Sequence, residues 1–359
     1  MSVERLLEDR SVSEGSDFQW DRAPARIKVV GVGGGGCNCV RRMLQHRHVP
    51  GVDFCVVNTD IKSLETVKDG ADIIQIGEKA TRGWGAGGDN SLGARAAEES
   101  STGLRRALKD AELVFITAGM GGGTGTGAAP YVAYLAKEMG AVVVAVVTTP
   151  FSFEGSRRID GAIAGVARLR PYVDNLIVIH NDRLLEYVDH DAPMIEAFRT
   201  ADEVVTQGIM SVSELINVPG EINVDFADVK TIMANPGGAL MAMGQGHGHM
   251  GALEAAKQAI ANPLLDISIK GAKGVLFSVK GGEELTLGGV NAAGELISQS
   301  VRKDADIYFG MSIDETLEDK VVMTLIATGL KQGNLTKAIS GRRGGMSFGK
   351  MKAGSFLGR

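Results

Sequence analysis

Cysteine is scarce in this chain: Cys37, Cys39 and Cys55 are the only three among 359 residues. So small and odd a set cannot make a disulfide framework and suits a reducing compartment. Basic residues are not in excess either. The 38 Lys and Arg stand against 43 Asp and Glu, for a formal net charge of -5, whereas nucleic-acid binding needs a basic footprint to neutralise phosphates. DNA and RNA are therefore excluded as general partners. Long apolar runs are also missing. Ala141 to Val147 is strand-sized and stops at Thr148, well short of the roughly 18 residues of a membrane span. The opening MSVERLLEDR has no apolar segment of the secretory kind. The expectation is a cytoplasmic protein that does not itself span a membrane. What is present, 44% hydrophobic and 23% charged residues, is enough for one large core or two modest ones.

Residues 1–25 are polar and aperiodic and read as a flexible arm ending at Pro24. From Arg26 onward, strand-like runs at Ile27 to Val32, Phe54 to Val57, Ile73 to Ile76, Leu113 to Thr117, Ala141 to Val147 and Leu176 to Ile179 alternate with helical stretches such as Leu92 to Leu108 and Gly127 to Met139. This βαβ pattern predicts a parallel, doubly wound α/β sheet over 26–192. Ligands of such sheets lie beyond the carboxyl ends of the strands, here the loops after Val32, Val57, Thr117 and Val147. Next, Met194, Phe198, Val205, Ile209, Val212 and Ile216 recur at helical spacing, predicting one long buried central helix over 193–220, closed by Pro219-Gly220. Residues 221–332 then predict a smaller α/β domain. It has helices around Ala239 and at Leu253 to Ala261, and strands at Gly274 to Val279, Ile307 to Met311 and Val321 to Ala327. The tail, 333–359, carries Lys337, Arg342, Arg343, Lys350, Lys352 and Arg359 with no acidic residue, and reads as basic and flexible.

Two glycine-rich turns follow strands and open helices. Gly31 to Met43 satisfies G-x-G-x-x-G at Gly31, Gly33 and Gly36, with Asp53 about 20 residues on, the dinucleotide fingerprint of an NAD-dependent oxidoreductase. The second turn, GGGTGTG at Gly121, Gly122, Gly123, Thr124, Gly125, Thr126 and Gly127, offers backbone amides at a helix N-terminus and two hydroxyls to a phosphate. Close packing of helix on strand explains one or two of these glycines more readily than five. No G-x-x-x-x-G-K-[ST] occurs, so a P-loop lysine is excluded. Charge on the phosphates must be met by amides and a cation, Mg²⁺, which the phosphate oxygens themselves can ligate.

These two turns, with NTD at Asn58 to Asp60, PFSFEG at Pro150 to Gly155 and NVDFADVK at Asn223 to Lys230, occur in an order that resembles the FtsZ family of tubulin-like cell-division GTPases, from about Arg26 to Leu330. The resemblance implies a tubulin/FtsZ-like fold: a parallel doubly wound GTPase domain joined by the central helix to a smaller, GTPase-activating α/β domain. It implies that Gly33, Gly34, Gly35 and Gly36, with Gly121 to Gly127, bind the α- and β-phosphates of GTP or GDP. Ala86, Gly87 and Gly88 would reach the γ-phosphate, Glu154 and Arg158 the ribose side, and Asn38, Asn181, Phe198 and Asp202 the base. A carboxylate such as Asp202 accepts from the N1–H and amine of guanine, a donor pair adenine lacks. Core packing is the competing reading for Phe198, and a simple turn for Asn181. Asp89-Asn90 stands where the family has Asn-Pro, and Trp84 where it has an aliphatic residue.

Asn223, Asp225 and Asp228 would supply catalysis to the next subunit of a head-to-tail homopolymer, so that assembly and hydrolysis are coupled. Two carboxylates about one helical turn apart can share a face and orient a water for attack on a phosphate; capping of a helix N-terminus is the alternative use for either. The family also implies Mg²⁺, K⁺ as a further ion, membrane-tethering division proteins as partners, and concentration at the division site. A GTP-binding regulator with little turnover is the other rival. Cys37-x-Cys39, His46-x-His48 and His247-x-His249 lack a second ligand pair at zinc spacing, so no protein-held metal is expected.

Overall fold

The computed structural model describes residues 24–45, 49–67, 70–184, 193–235, 237–261 and 269–330. Residues 1–23 of the expected arm, His46, His48 and the basic tail lie outside the described residues. In the first half, β-branched runs form Ile27–Val32 (β1), Val52–Asn58 (β2), Ala71–Gln75 (β3), Leu113–Gly119 (β4), Val142–Thr149 (β5) and Asn175–His180 (β6). They pair in parallel in the order β3-β2-β1-β4-β5-β6, so the winding reverses between β1 and β4 and a crevice opens at their carboxyl ends. The helices of this half are Gly33–Met43 (α1), Ile61–Glu65 (α2), Glu78–Thr81 (α3), Asn90–Glu99 (α4), Ser101–Leu108 (α5), Gly123–Glu138 (α6), Ser156–Leu169 (α7) and Asn181–Leu184 (α8).

Met194–Asn217 (α9) follows, then Phe226–Met233 (α10), Gly238–His247 (β7), Gly251–Ala261 (α11), Gly274–Gly281 (β8), Leu287–Ser300 (α12), Asp306–Ile313 (β9) and Lys320–Leu330 (β10). The second sheet has the order β7-β10-β8-β9; β10 runs antiparallel to both neighbours, and β9 lies parallel to β8.

Side-chain alternation divides the apolar residues into three layers. On β1, Val30 and Val32 face Ala96, Leu104, Val132 and Ala162 of α4 to α7, while Ile27 and Val29 face α1 and α9. The latter layer continues through Val205, Ile209 and Val212 of α9 to Val229 and Ile232 of α10 and to Met241, Leu276 and Ile326 of the second sheet. A third layer lies between that sheet and α11 and α12. The two sheets thus share one core, with α9 as its spine. No helix of the described residues is long and apolar enough to cross a membrane.

Three sequence expectations are corrected. The helix expected around Ala239 is β7. Ala and Met favour helices, but pairing along nearly all of β10 overrides a weak propensity. Gly244 and Gly246 carry the strand signal: a Cβ on Gly244 would lie 1.9 Å from the Ala255 carbonyl oxygen, and one on Gly246 2.1 Å from that of Gly251, so β7 lies directly under α11. The single helix expected over Leu92 to Leu108 breaks at Ser100. There Ser100 Oγ accepts from Gly77 N (3.0 Å), and the Glu99 carboxylate accepts from Lys79 N and Ala80 N (2.9 and 3.1 Å), tying the end of α4 to the start of α3. The long helix is also not buried from its start: Met194 is 60% exposed, and burial begins at Ala197.

Gly244→Ala is expected to destabilise the protein by about 1–3 kcal/mol, because the clash is with backbone that cannot rotate away. Urea denaturation measures this, and an unchanged midpoint would argue against β7 under α11.

Candidate functional site

Three helix N-termini converge at the carboxyl edge of the first sheet, and glycines permit it. A Cβ on Gly33 would lie 2.7 Å from Gly125 N, bringing the starts of α1 and α6 together. One on Gly93 would lie 2.3 Å from Gly123 O and one on Gly127 2.2 Å from Asn90 O, locking α4 against α6. Neither α1 nor α6 has a side-chain cap or an acidic residue in its first turn. Their leading amides and positive dipole ends therefore remain available to an anion. Beside them, Gly34, Gly87, Gly88 and Gly122 have no atom within 4 Å of a built Cβ. Gly87 and Gly88 adopt positive φ of 56° and 81°, which is the reason that loop is glycine.

The glycines of GGGTGTG thus serve two purposes. Gly121, Gly123, Gly125 and Gly127 each meet a neighbour at 2.2–2.9 Å, and only Gly122 faces open space. Close packing accounts for more of this motif than the sequence suggests. Thr126 also departs from expectation: it is 0% exposed, and its Oγ1 accepts from Gly121 N at 2.8 Å, so it closes the turn and does not face the crevice. Thr124 Oγ1 pairs with Thr59 Oγ1 at 2.6 Å, joining α6 to the NTD segment after β2. Gly35 and Gly36 back onto β4, toward Gly119 N and Thr117 O.

Asp89 caps α4, accepting from Ser91 N (2.8 Å), Leu92 N (3.2 Å) and Ser91 Oγ (2.6 Å). The Ser91 hydroxyl, then these amides, hold its carboxyl below the usual range. Ala86 is buried, within 2.9 Å of where a Gly123 Cβ would sit. Trp84 is 82% exposed, and its backbone bridges Asp60.

The other end of the crevice gathers the remaining candidates. Glu154 pairs with Arg158 (2.5 Å) and accepts from Phe151 N (2.9 Å). Phe198 meets the buried Phe151 edge-on at 5.1 Å and is only partly buried. Asn38 is exposed and accepts from Arg41 Nη2 at 3.2 Å. Asn181 is 6% exposed with Oδ1 lacking a hydrogen-bond partner, a costly arrangement that a ligand donor would relieve. Asp202 accepts from Arg42 Nε (3.1 Å) and Cys39 Sγ (3.4 Å). Burial raises its carboxyl pKa, opposed first by Arg42.

The fingerprint acid Asp53 lies elsewhere. It is the second residue of β2, at the amino end of the strand, and pairs with Lys28 at 3.1 Å. It therefore faces away from the crevice where a ribose would have to lie, which removes the basis for the dinucleotide reading.

Asn223, Asp225 and Asp228 are not brought to this crevice. From Asp202, α9 runs to Asn217, which is bonded to Ala25 N, Ala25 O and Pro50 O at 2.8–2.9 Å, at the amino ends of β1 and β2. Those 15 residues span about 22 Å at the helical rise, so the segment beyond lies at the opposite edge of the sheet. There Asn223 closes a turn on Gly220 N and O (2.8 and 3.2 Å). Asp225 occupies the N-cap position of α10 without a side-chain cap bond, and Asp228 lies in its first turn, near enough to Tyr308 that its charge, after burial, helps raise that phenol's pKa.

Comparison with known proteins matches residues 26–189 to the Tubulin/FtsZ family, GTPase domain, and residues 237–331 to the FtsZ family, C-terminal domain. An empty FtsZ dimer from M. jannaschii is 43% identical, with 87% of this chain and 89% of that one covered and a TM-score of 0.82. The chain belongs to the tubulin/FtsZ GTPase family. A GTPγS-bound CetZ2 protofilament from Haloferax volcanii, 21% identical over 88% of this chain and 96% of that one with a TM-score of 0.75, shares the fold.

For a tubulin/FtsZ chain, the residues that sequence reasoning missed are supporting ones. Asp182 accepts from Ser152 N (2.7 Å) and bonds Ser152 Oγ, tying the PFSFEG turn to α8. Thr59 and Arg42 belong to the same class; Cys39 and Arg42, three apart on α1, were the available signal. The cysteines are thiols buried in the sheet and in α1: burial pushes Cys37 and Cys55 up to about 12, and Cys39 well above the ordinary thiol value.

Iodoacetamide at about pH 8 should therefore modify the native thiols at least about tenfold more slowly than in urea, since only the thiolate reacts. Comparable rates would contradict their burial. Among the glycines, Gly125→Ala is expected to cost about 1–3 kcal/mol of stability, its Cβ meeting Gly119 O at 2.6 Å. Gly34→Ala should leave the urea midpoint unchanged or slightly raised and weaken nucleotide binding; loss of stability there would contradict the open crevice.

Proposed function

We propose that this chain is a self-assembling, cytoplasmic GTPase of cell division. It binds GTP at the converging starts of α1, α4 and α6, and hydrolyses it only when the Asn223–Asp228 segment of a second copy docks there. The observation that carries the reading is the separation of about 22 Å along α9, which leaves each chain with two unlike halves of a site. Head-to-tail stacking joins them, and because such an interface does not close, it propagates into a filament.

The site is suited to a guanine nucleotide. Amides of α1 and α6 and the open glycines Gly34, Gly87, Gly88 and Gly122 admit the phosphates. Glu154 and Arg158 flank the ribose, and Phe198, Asn38, Asn181 and Asp202 surround the base. The unpartnered Asn181 Oδ1 is the observation that most asks for a bound donor. Among the described residues, no three His, Cys, Asp or Glu side chains cluster to hold a metal. Mg²⁺, with K⁺ as a further ion, would instead be held largely by phosphate oxygens and water, and would neutralise charge on the phosphates.

Asp225 and Asp228 of the docking copy, with Asn223, orient a water in line with the γ-phosphorus. The water oxygen bonds to phosphorus as the bond to the β–γ bridging oxygen breaks, and a carboxylate takes the water proton. The division role comes from the 43% identical FtsZ. In this reading, membrane-tethering division proteins hold the filament at the division site.

GTPase rate and light scattering against protein concentration test the proposal. Wild type should show a threshold concentration for both, and Asp225→Ala should bind GTP normally while turnover falls about 10²- to 10⁴-fold. A specific activity independent of concentration would rule out catalysis by a second subunit.

A further inference from the structure

We infer that Arg42, supported by Cys39, is a positioning residue for base recognition: it fixes the Asp202 carboxylate so that one lone pair on each oxygen stays free for the N1–H and exocyclic amine of guanine. The inference rests on the reading of Asp202 as the base-recognising carboxylate.

An ionised carboxylate has about four lone-pair sites, two per oxygen. Arg42 Nε takes one on Oδ2 at 3.1 Å and Cys39 Sγ takes one on Oδ1 at 3.4 Å. Both donors come from one face of α1, and one acceptor site remains on each oxygen, the pair that guanine's adjacent donors require. Phe198 lies four residues before Asp202, on the same face of α9. Adenine presents an acceptor at N1, which the carboxylate repels, and hypoxanthine keeps N1–H but lacks the amine.

Arg42 also supplies the charge. The Asp202 and Arg42 side chains are only 15% and 23% exposed, and burial pushes the carboxyl up while Arg42, Cys39 and Arg41 pull it down. Its charged neighbours on α9 are Arg199 and Glu203, and α8 carries Asp182, engaged with Ser152, and Arg183. Without Arg42, a desolvated carboxylate would lose its counter-charge, and its proton would be harder to remove. Guanine binding needs the ionised form, so it would then fail as pH falls through a higher value than in wild type.

Calorimetry of the full-length chain with GDP, IDP and ADP tests this without turnover. Wild type should prefer GDP over IDP and IDP over ADP. Arg42→Met should weaken GDP about tenfold, within the coupling range of contacting residues, and leave ADP unchanged. The loss should deepen from about pH 8 to about pH 6. Arg42→Lys, which keeps the charge but not the planar donor, should recover part of the affinity. In an Asp202→Asn background, Arg42→Met should have no further effect. Equal weakening of GDP and ADP, or additive losses in the double variant, would overturn the inference. Should Arg42→Met not fold, Arg42→Lys and the double variant, which leaves no unpaired charge, carry the same comparison. A wild type that does not distinguish GDP from ADP would instead remove the reading of Asp202 on which the inference rests.

Discussion

The close approach of α6 to α1 and α4 is the constraint on which the rest of the structure depends. A Cβ on Gly33, Gly93 or Gly127 would overlap the backbone of Gly125, Gly123 or Asn90 respectively. That contact places uncapped helix N-termini at the switch point between β1 and β4, where amides and dipoles add up for an anion. A methyl group at any of these positions would separate the helices and disperse the amides. The glycine motif is therefore a packing device first, and tight packing leaves the uncapped amides of α1 and α6 facing one crevice, an arrangement suited to an anion.

The second constraint is length. The spine α9 is shared by the cores of both sheets, through Val205, Ile209 and Val212, and its Asn217 is fastened to the amino ends of β1 and β2. A rigid helix of this kind holds Asp202 and the aspartates near α10 at opposite edges of one sheet. Separation of the glycine-lined crevice from the acidic segment is thus a consequence of helix geometry and of strand direction.

Much of this was legible in the chain. The alternation of β-branched runs with helical segments located all six strands of the first sheet, and the spacing of Val205, Ile209 and Val212 located α9, because burial on a repeating face leaves a repeating pattern. The glycine turns stood out because only glycine satisfies such positions. Ala239 was misread because Ala and Met carry little preference against their partners, and β7 exists through pairing with β10. The break at Ser100 depends on Gly77, and the inward turn of Thr126 on Gly121, contacts that no local pattern reveals. Asp53 had the fingerprint spacing, yet its place at the amino end of β2 points it away from the crevice.

By itself the sequence determined the strands of the first half and the doubly wound sheet, since these follow from periodicity, and its motifs carried the resemblance to the family. Only the tertiary structure decided which residues meet. Asp202 bonds Arg42 and Cys39 some 160 residues away, while Asp225 and Asp228 lie across the sheet from the glycine turns. Partners so distant in sequence are chosen by packing, and packing is set by the summed shape of the core, which no single stretch of chain contains.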